Sequence, residues 1–269
     1  YITARRDMTD ATQLAPSPPP EIGRVGFADI TAALRAGWRD FIRAPLFGLF
    51  FAAFFVAGGI VIYLQLGFID QSYWIIPAAL GFPLLAPFLA VGLYEVSRRL
   101  ETGEALNWGG VLGVIIRQKD RQFPSMAVVI IMIFLFWLFI AHMIFALFLG
   151  LMPMTNILSN WQDTILTPNG LTMLAVGSLV GAVLAFLLFA LTVASLPLLL
   201  DRELDFITAM IASFQLVLAN PVPMLTWGIV IAVLTLGALL PFFMGLFVVL
   251  PVLGHATWHL YRRSMSFED

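Results

Sequence analysis

The chain has 269 residues, 61% of them hydrophobic and 11% charged, with a mean hydropathy of +0.96. A soluble domain is nearer half apolar and a quarter charged, so soluble enzyme folds are excluded and an all-α integral membrane protein is expected. Lys+Arg 14 against Asp+Glu 16 gives a net charge of −2, which offers no basic field for nucleic acid, and the absence of cysteine removes disulfides, thiolate chemistry and cysteine zinc sites.

Residues 1–26 carry Pro16, Pro18, Pro19 and Pro20 with mixed charge and few aliphatics, too little apolar surface to fold alone, and predict a flexible cytoplasmic tail that orders on contact. No apolar core of a cleaved signal peptide is present there, and the missing initiator Met suggests a start inside a longer gene product. Apolar runs follow at 45–66 and 73–97, separated by Asp70, Gln71 and Ser72, and at 124–150 and 170–200, separated by a polar loop. The last run, Val222 to Tyr261, has no charged residue and at ~1.5 Å per residue would be about 60 Å long, twice a hydrocarbon core of ~30 Å. It therefore crosses twice, as 222–238 and 241–261, with its turn placed near Gly237 to Pro241 where Gly and Pro punctuate.

Six spans in three hairpins put every Lys and Arg on one side, from Arg5 to Arg263, and none in the three opposite turns. Because cationic loops stay cytoplasmic, both termini are expected inside and Asp70, Gln162 and Asp163 outside.

Each hairpin is preceded by an amphipathic segment too polar to span. In the first, Phe27, Ile30, Leu34, Trp38, Phe41 and Ile42 recur at helical spacing while Arg35, Arg39 and Arg43 form an i, i+4, i+8 stripe, the pattern of a helix lying among lipid headgroups. Trp108 to Ile116 repeats the pattern, as does Phe206 to Val217 behind a predicted Asp205 cap. FIRAP, DRQFP and VLANP end the three segments, proline stopping one helix and opening the next. The repeats are 27–104, 105–203 and 204–269, all oriented alike, unlike the inverted repeats of many alternating-access transporters.

The candidate sites are few. His255 and His259 share a face of the last span at i, i+4 and are candidate metal ligands, though two imidazoles do not complete a tetrahedral site; His142, the remaining histidine, lies deeper along its own span. Glu95, one turn before Arg98 and Arg99, aligns with His259 before Arg262 and Arg263. This alignment suggests an interhelical polar pair, against the plainer reading in which Glu95 turns to its own arginines. Gly177 with Gly181, and Gly58 with Gly59, permit close helix approach. Pro77, Pro83 and Pro87 interrupt the second span, more simply as packing kinks than as ion sites. No serine triad, P-loop, zinc-protease or dinucleotide motif is present, so no catalytic apparatus, cofactor or metal site is assigned.

On GWRDFIRAP, GLYEVSRRLETGEAL and HLYRRS, the chain resembles an uncharacterised bacterial family of integral membrane proteins, domain-of-unknown-function family 2189, over about residues 25–264. The most specific element is the exit motif YE-SRR-E-GE. The resemblance implies a bacterial inner-membrane location. Some family members are labelled putative cytochrome c oxidase components, which implies a respiratory association, although the chain lacks the many intramembrane histidines of a haem–copper catalytic subunit. The expected role is a non-enzymatic accessory or scaffolding subunit whose partners are the bilayer and other membrane subunits. A small-solute or ion transporter and a lipid or envelope maintenance factor are the alternatives. A cavity gathering Glu95, Thr192, Ser195 and His259 would favour transport.

Overall fold

The computed structural model describes residues 18, 20–68, 75–118, 122–150 and 166–267, with side chains described except over 65–68 and 75–85. Its elements in order are β1 (Glu21–Ile22), α1 (Phe27–Arg43), α2 (Pro45–Phe68), α3 (Ile75–Thr102), α4 (Trp108–Gln118), α5 (Phe123–Leu149), α6 (Pro168–Thr192), α7 (Ser195–Asp201), α8 (Phe206–Ala219), α9 (Pro221–Leu239), α10 (Leu246–Ser264) and β2 (Met265–Ser266). The expectations for the tail through residue 17, for Asp70 and Gln71, for Lys119 and Arg121, and for Gln162 and Asp163 lie outside the described residues.

Two of the three proline junctions share one backbone conformation. Ala44 (φ −135, ψ 52) precedes Pro45 and Asn220 (φ −131, ψ 56) precedes Pro221. In both, the proline ring excludes the helical conformation from the residue before it, so a short helix stops and a long one starts within one step. The middle junction is shifted: Gln122 is the cap, Phe123 is already helical, and Pro124 sits inside the first turn of α5. The cap on α8 is Asp205, whose carboxylate accepts from the Thr208 backbone N–H at 2.9 Å. That bond holds the Asp205 carboxyl below the ordinary aspartate value. At the other end of a helix, α3 runs unbroken through Pro77, Pro83 and Pro87 and closes with Gly103 at φ +74, where a left-handed residue lets the Glu104 N–H reach back to the Arg99 carbonyl at 3.0 Å.

Around α10 the bundle is tightest. Gly37 on α1 faces it so closely that a Cβ there would lie 2.6 Å from the Ala256 nitrogen and the Val252 carbonyl oxygen, so only glycine permits this crossing. Gly48 meets Pro251 and Gly59 meets Phe243; rising numbers on α2 pair with falling numbers on α10, and the two are antiparallel. Leu93 packs on Gly254, Ser97 bonds His255 and Glu101 bonds Trp258 and Arg262, so α3 runs beside α10 in the same direction. The chain ends meet as well. Glu21 and Ile22 pair antiparallel with Ser266 and Met265, and Asn220 accepts from the Val25 N–H at 2.8 Å while donating to the Gly23 carbonyl at 3.0 Å.

The last turn falls later than Gly237 to Pro241. α9 continues to Leu239 and α10 starts at Leu246, through Phe242 (φ 48) and Phe243 (φ 66). Left-handed backbone costs a non-glycine residue about 1–2 kcal/mol. What opposes that cost is packing: the Phe243 ring fills the notch left by Gly59, where a Cβ would stand 2.7 Å from it, and Gly245 closes on Ala238. Gly–Pro punctuation cannot register such a tertiary contact.

Four described helical segments are long and apolar enough to cross a membrane: Pro45–Leu64, Phe123–Leu149, Pro168–Asp201 and Pro221–Leu239. The outer ones expose their apolar side chains, among them Phe136, Phe139, Leu147, Ile229 and Val233, as a lipid-facing wall should. Of the expected small-residue face, a Cβ on Gly181 would lie 3.0 Å from the Trp137 ring, whereas one on Gly177 would meet nothing within 4 Å.

Candidate functional site: a buried polar layer at the helix exits

The residues of the exit motif converge at the carboxyl ends of α3, α7 and α10. Glu95 is fully buried and its two oxygens accept from Arg98 Nε (2.8 Å), Arg98 Nη2 (2.9 Å) and Arg99 Nε (2.6 Å). The i, i+3 and i, i+4 spacing of one helix brings all three together. Arg98 continues to Glu104 at 2.9 Å, and this guanidinium holds the Glu104 carboxyl below the ordinary glutamate value. Arg99 donates to the Ala105 carbonyl at 3.0 Å and lies where a Cβ on Gly110 of α4 would stand, 2.8 Å away. The pair anticipated between Glu95 and His259 therefore takes another form: Glu95 is satisfied by its own helix, and His259 has a different acid.

That acid is Asp40 of α1, 3% exposed, with its Oδ2 2.6 Å from His259 Nε2. An ionised carboxylate only accepts, so His259 donates from Nε2. Burial alone would raise the Asp40 carboxyl, but the hydrogen bond and charge of His259, with the hydroxyl of Ser97, outweigh it and hold Asp40 below the ordinary aspartate value. Ser97 Oγ is also 2.8 Å from His255 Nδ1. Which of the two donates depends on the His255 tautomer, and the buried Nε2 has no hydrogen-bond partner among the described residues. Asp40 on α1, Ser97 on α3 and His255 and His259 on α10 thus form one polar cluster shared by three helices. The order differs from a catalytic triad, because the serine meets Nδ1 and the acid bonds a second histidine. Among the described residues no three His, Asp or Glu are grouped to hold a metal; His255 and His259 face serine and carboxylate rather than a shared centre.

A second tier ties the three exits together. Trp258 Nε1 donates to Glu101 at 2.9 Å, the Tyr261 hydroxyl donates to Asp201 at 2.8 Å, and Arg262 spans both acids at 3.3 and 3.4 Å. Arg263 approaches Asp29 at 3.8 Å. By contrast Arg35, Arg39 and Arg43 are exposed on α1, beside exposed Trp38 and Ile42. His142 is exposed on α5, its Nδ1 3.0 Å from the Leu138 carbonyl of its own helix.

Sequence reasoning missed Asp40, Ser97, Glu101 and Asp201. Asp40 had a readable signal: it follows Ile30, Ala33 and Gly37 on the buried stripe of α1, an acid on the wrong face of an amphipathic helix and away from the arginine stripe. Beneath the layer lies a cavity of about 410 Å³ between α2, α3, α5, α6, α7, α9 and α10. Thr192 lines it, but Glu95, Ser195 and His259 do not.

The α3 and α7 contributions to this layer fall within a stretch that matches a known family. Residues 75–201 match the family model "Predicted integral membrane protein (DUF2189)". The match contains the whole YE-SRR-E-GE exit of the DUF2189 stretch and ends on Asp201. No curated protein and no solved structure matches the chain.

Proposed function

We propose that this chain is a non-catalytic, six-span bacterial inner-membrane protein with both termini cytoplasmic, serving as an accessory or scaffolding subunit of a larger membrane complex. The observation that carries this reading is the self-sufficiency of the polar layer. Glu95, Asp40, Glu101 and Asp201 are each bonded by side chains of the same bundle, so they serve as locks between helices rather than as a path for a solute. The pairing of residues 21–22 with 265–266 supports an even number of crossings, and the antiparallel α2 and parallel α3 about α10 support repeats of one orientation. In this reading α3 and α10 span beside the four more apolar helices, their charged ends lying at the cytoplasmic surface. A respiratory partner, cytochrome c oxidase included, rests only on the labels of some members of the family that the chain resembles.

The test is affinity purification from native membranes in a mild detergent, with identification of what comigrates. A fixed stoichiometric membrane partner is expected; repeated recovery of the chain alone would overturn the subunit role. The transporter reading lacks its converging ionisable groups, since the cavity is walled by apolar side chains and hydroxyls. That same cavity favours, as the second reading, a protein that holds lipid.

A further inference from the structure

The cavity is lined mainly by apolar side chains, including Phe55, Leu93, Ile130 and Leu253, and its volume is within the ~300–1,000 Å³ of small-molecule sites. Tyr94 also lines it, is only 5% exposed, and has no hydrogen-bond partner among the described residues. Its hydroxyl is therefore left free to bond whatever occupies the cavity. The other hydroxyls at the wall differ from it. Thr192 and Thr257 donate to the Leu188 and Leu253 carbonyls of their own helices, at 2.7 and 2.8 Å, whereas Thr235, like Tyr94, has no partner among the described residues. The unspent donor protons of the cavity are therefore those of Tyr94 and Thr235, set in hydrocarbon-like walls.

We infer that the cavity is a binding site for an acyl lipid, its chain among the apolar side chains and its ester carbonyl accepting from Tyr94. A bilayer presents such esters at high local concentration, and their two oxygens suit the two unspent hydroxyls. A charged or strongly polar solute finds no counter-group here, because Glu95 and the histidines face the layer above. The inference stands whether or not the chain has a protein partner.

Its test uses the purified full chain in detergent with two photoreactive probes of equal length, a diazirine-bearing palmitate methyl ester and a diazirine-bearing hexadecane. The ester is expected to crosslink to the α3 and α10 peptides that line the cavity roughly tenfold more than the alkane. Tyr94→Phe should bring ester labelling down to the alkane level while alkane labelling stays as in the wild type, which also reports an intact fold. Leu253→Trp, filling the cavity, should abolish both. If Tyr94→Phe does not fold, Thr235→Val replaces it, with a smaller drop in ester labelling expected. Equal labelling by ester and alkane in the wild type, or crosslinks confined to the outer faces of α5 and α9, would overturn the inference.

Discussion

α5 and α10 lie in one bundle and obey opposite rules. α5 has no charged residue over 27 positions, and only 17% of its most apolar window is buried inside the protein. α10 carries His255, His259, Arg262 and Arg263, yet most of its length is enclosed by α1, α2, α3 and α9. In water the apolar helix would be inside. In a bilayer the lipid accepts apolar side chains at no cost, so burial is reserved for groups that lipid cannot satisfy. The polar layer is thus where helix order is specified, and the outer wall is where it is tolerant.

Mutations should separate the two regions. The largest effect is expected at Glu95: Glu95→Gln leaves two arginines facing a neutral amide, and loss of one partner from a buried ion cluster costs about 3–5 kcal/mol. Thermal unfolding in detergent should drop by many degrees, and an unchanged midpoint would remove the lock from the account. Gly37→Leu comes next, since its side chain meets the α10 backbone and overpacking typically costs about 1–3 kcal/mol. Limited proteolysis should then cut at the α1–α2 junction, where the wild type resists.

Asp40→Asn should cost about 1–3 kcal/mol and should change the acid limb of the stability curve. Because the Asp40 carboxyl is held below its ordinary value of ~3.9, its contribution is complete above that pH and is lost as pH falls through its lower folded value. The variant should lose less stability than the wild type on acidification below about pH 4; parallel acid limbs would show that Asp40 is not the coupled group. Leu147→Ala, on a side chain 77% exposed on α5, should shift stability by no more than about 0.5 kcal/mol, and a larger loss would mean that this wall is covered by protein.

The local rules were legible wherever one residue acts on its own backbone. Pro45 and Pro221 end helices by sterics, and Asp205 caps by a bond three residues long. Longer-range choices were not. Glu95 and His259 align along their helices, but rotation about the helix axis decides partners, and α1 inserts Asp40 where an alignment of two spans leaves no third helix. The turn at Phe242 and Phe243 failed for the same reason, its strain being opposed by a notch 184 residues upstream at Gly59. The junctions at Ala44 and Asn220 share one geometry, while the middle junction, with Phe123 already helical, departs from it.

In the proposed threading, the exits of α3, α7 and α10 share one side of the membrane with both chain ends. The natural chain has no cysteine, so single cysteines can report this directly. Thr102→Cys, Ser266→Cys and Leu240→Cys, all at exposed positions, would be labelled in sealed, oriented vesicles with a membrane-impermeant maleimide. Positions 102 and 266 should react from the same face and position 240 only from the other. Reaction of 240 and 266 from one face would contradict the threading and the polar layer's place in it.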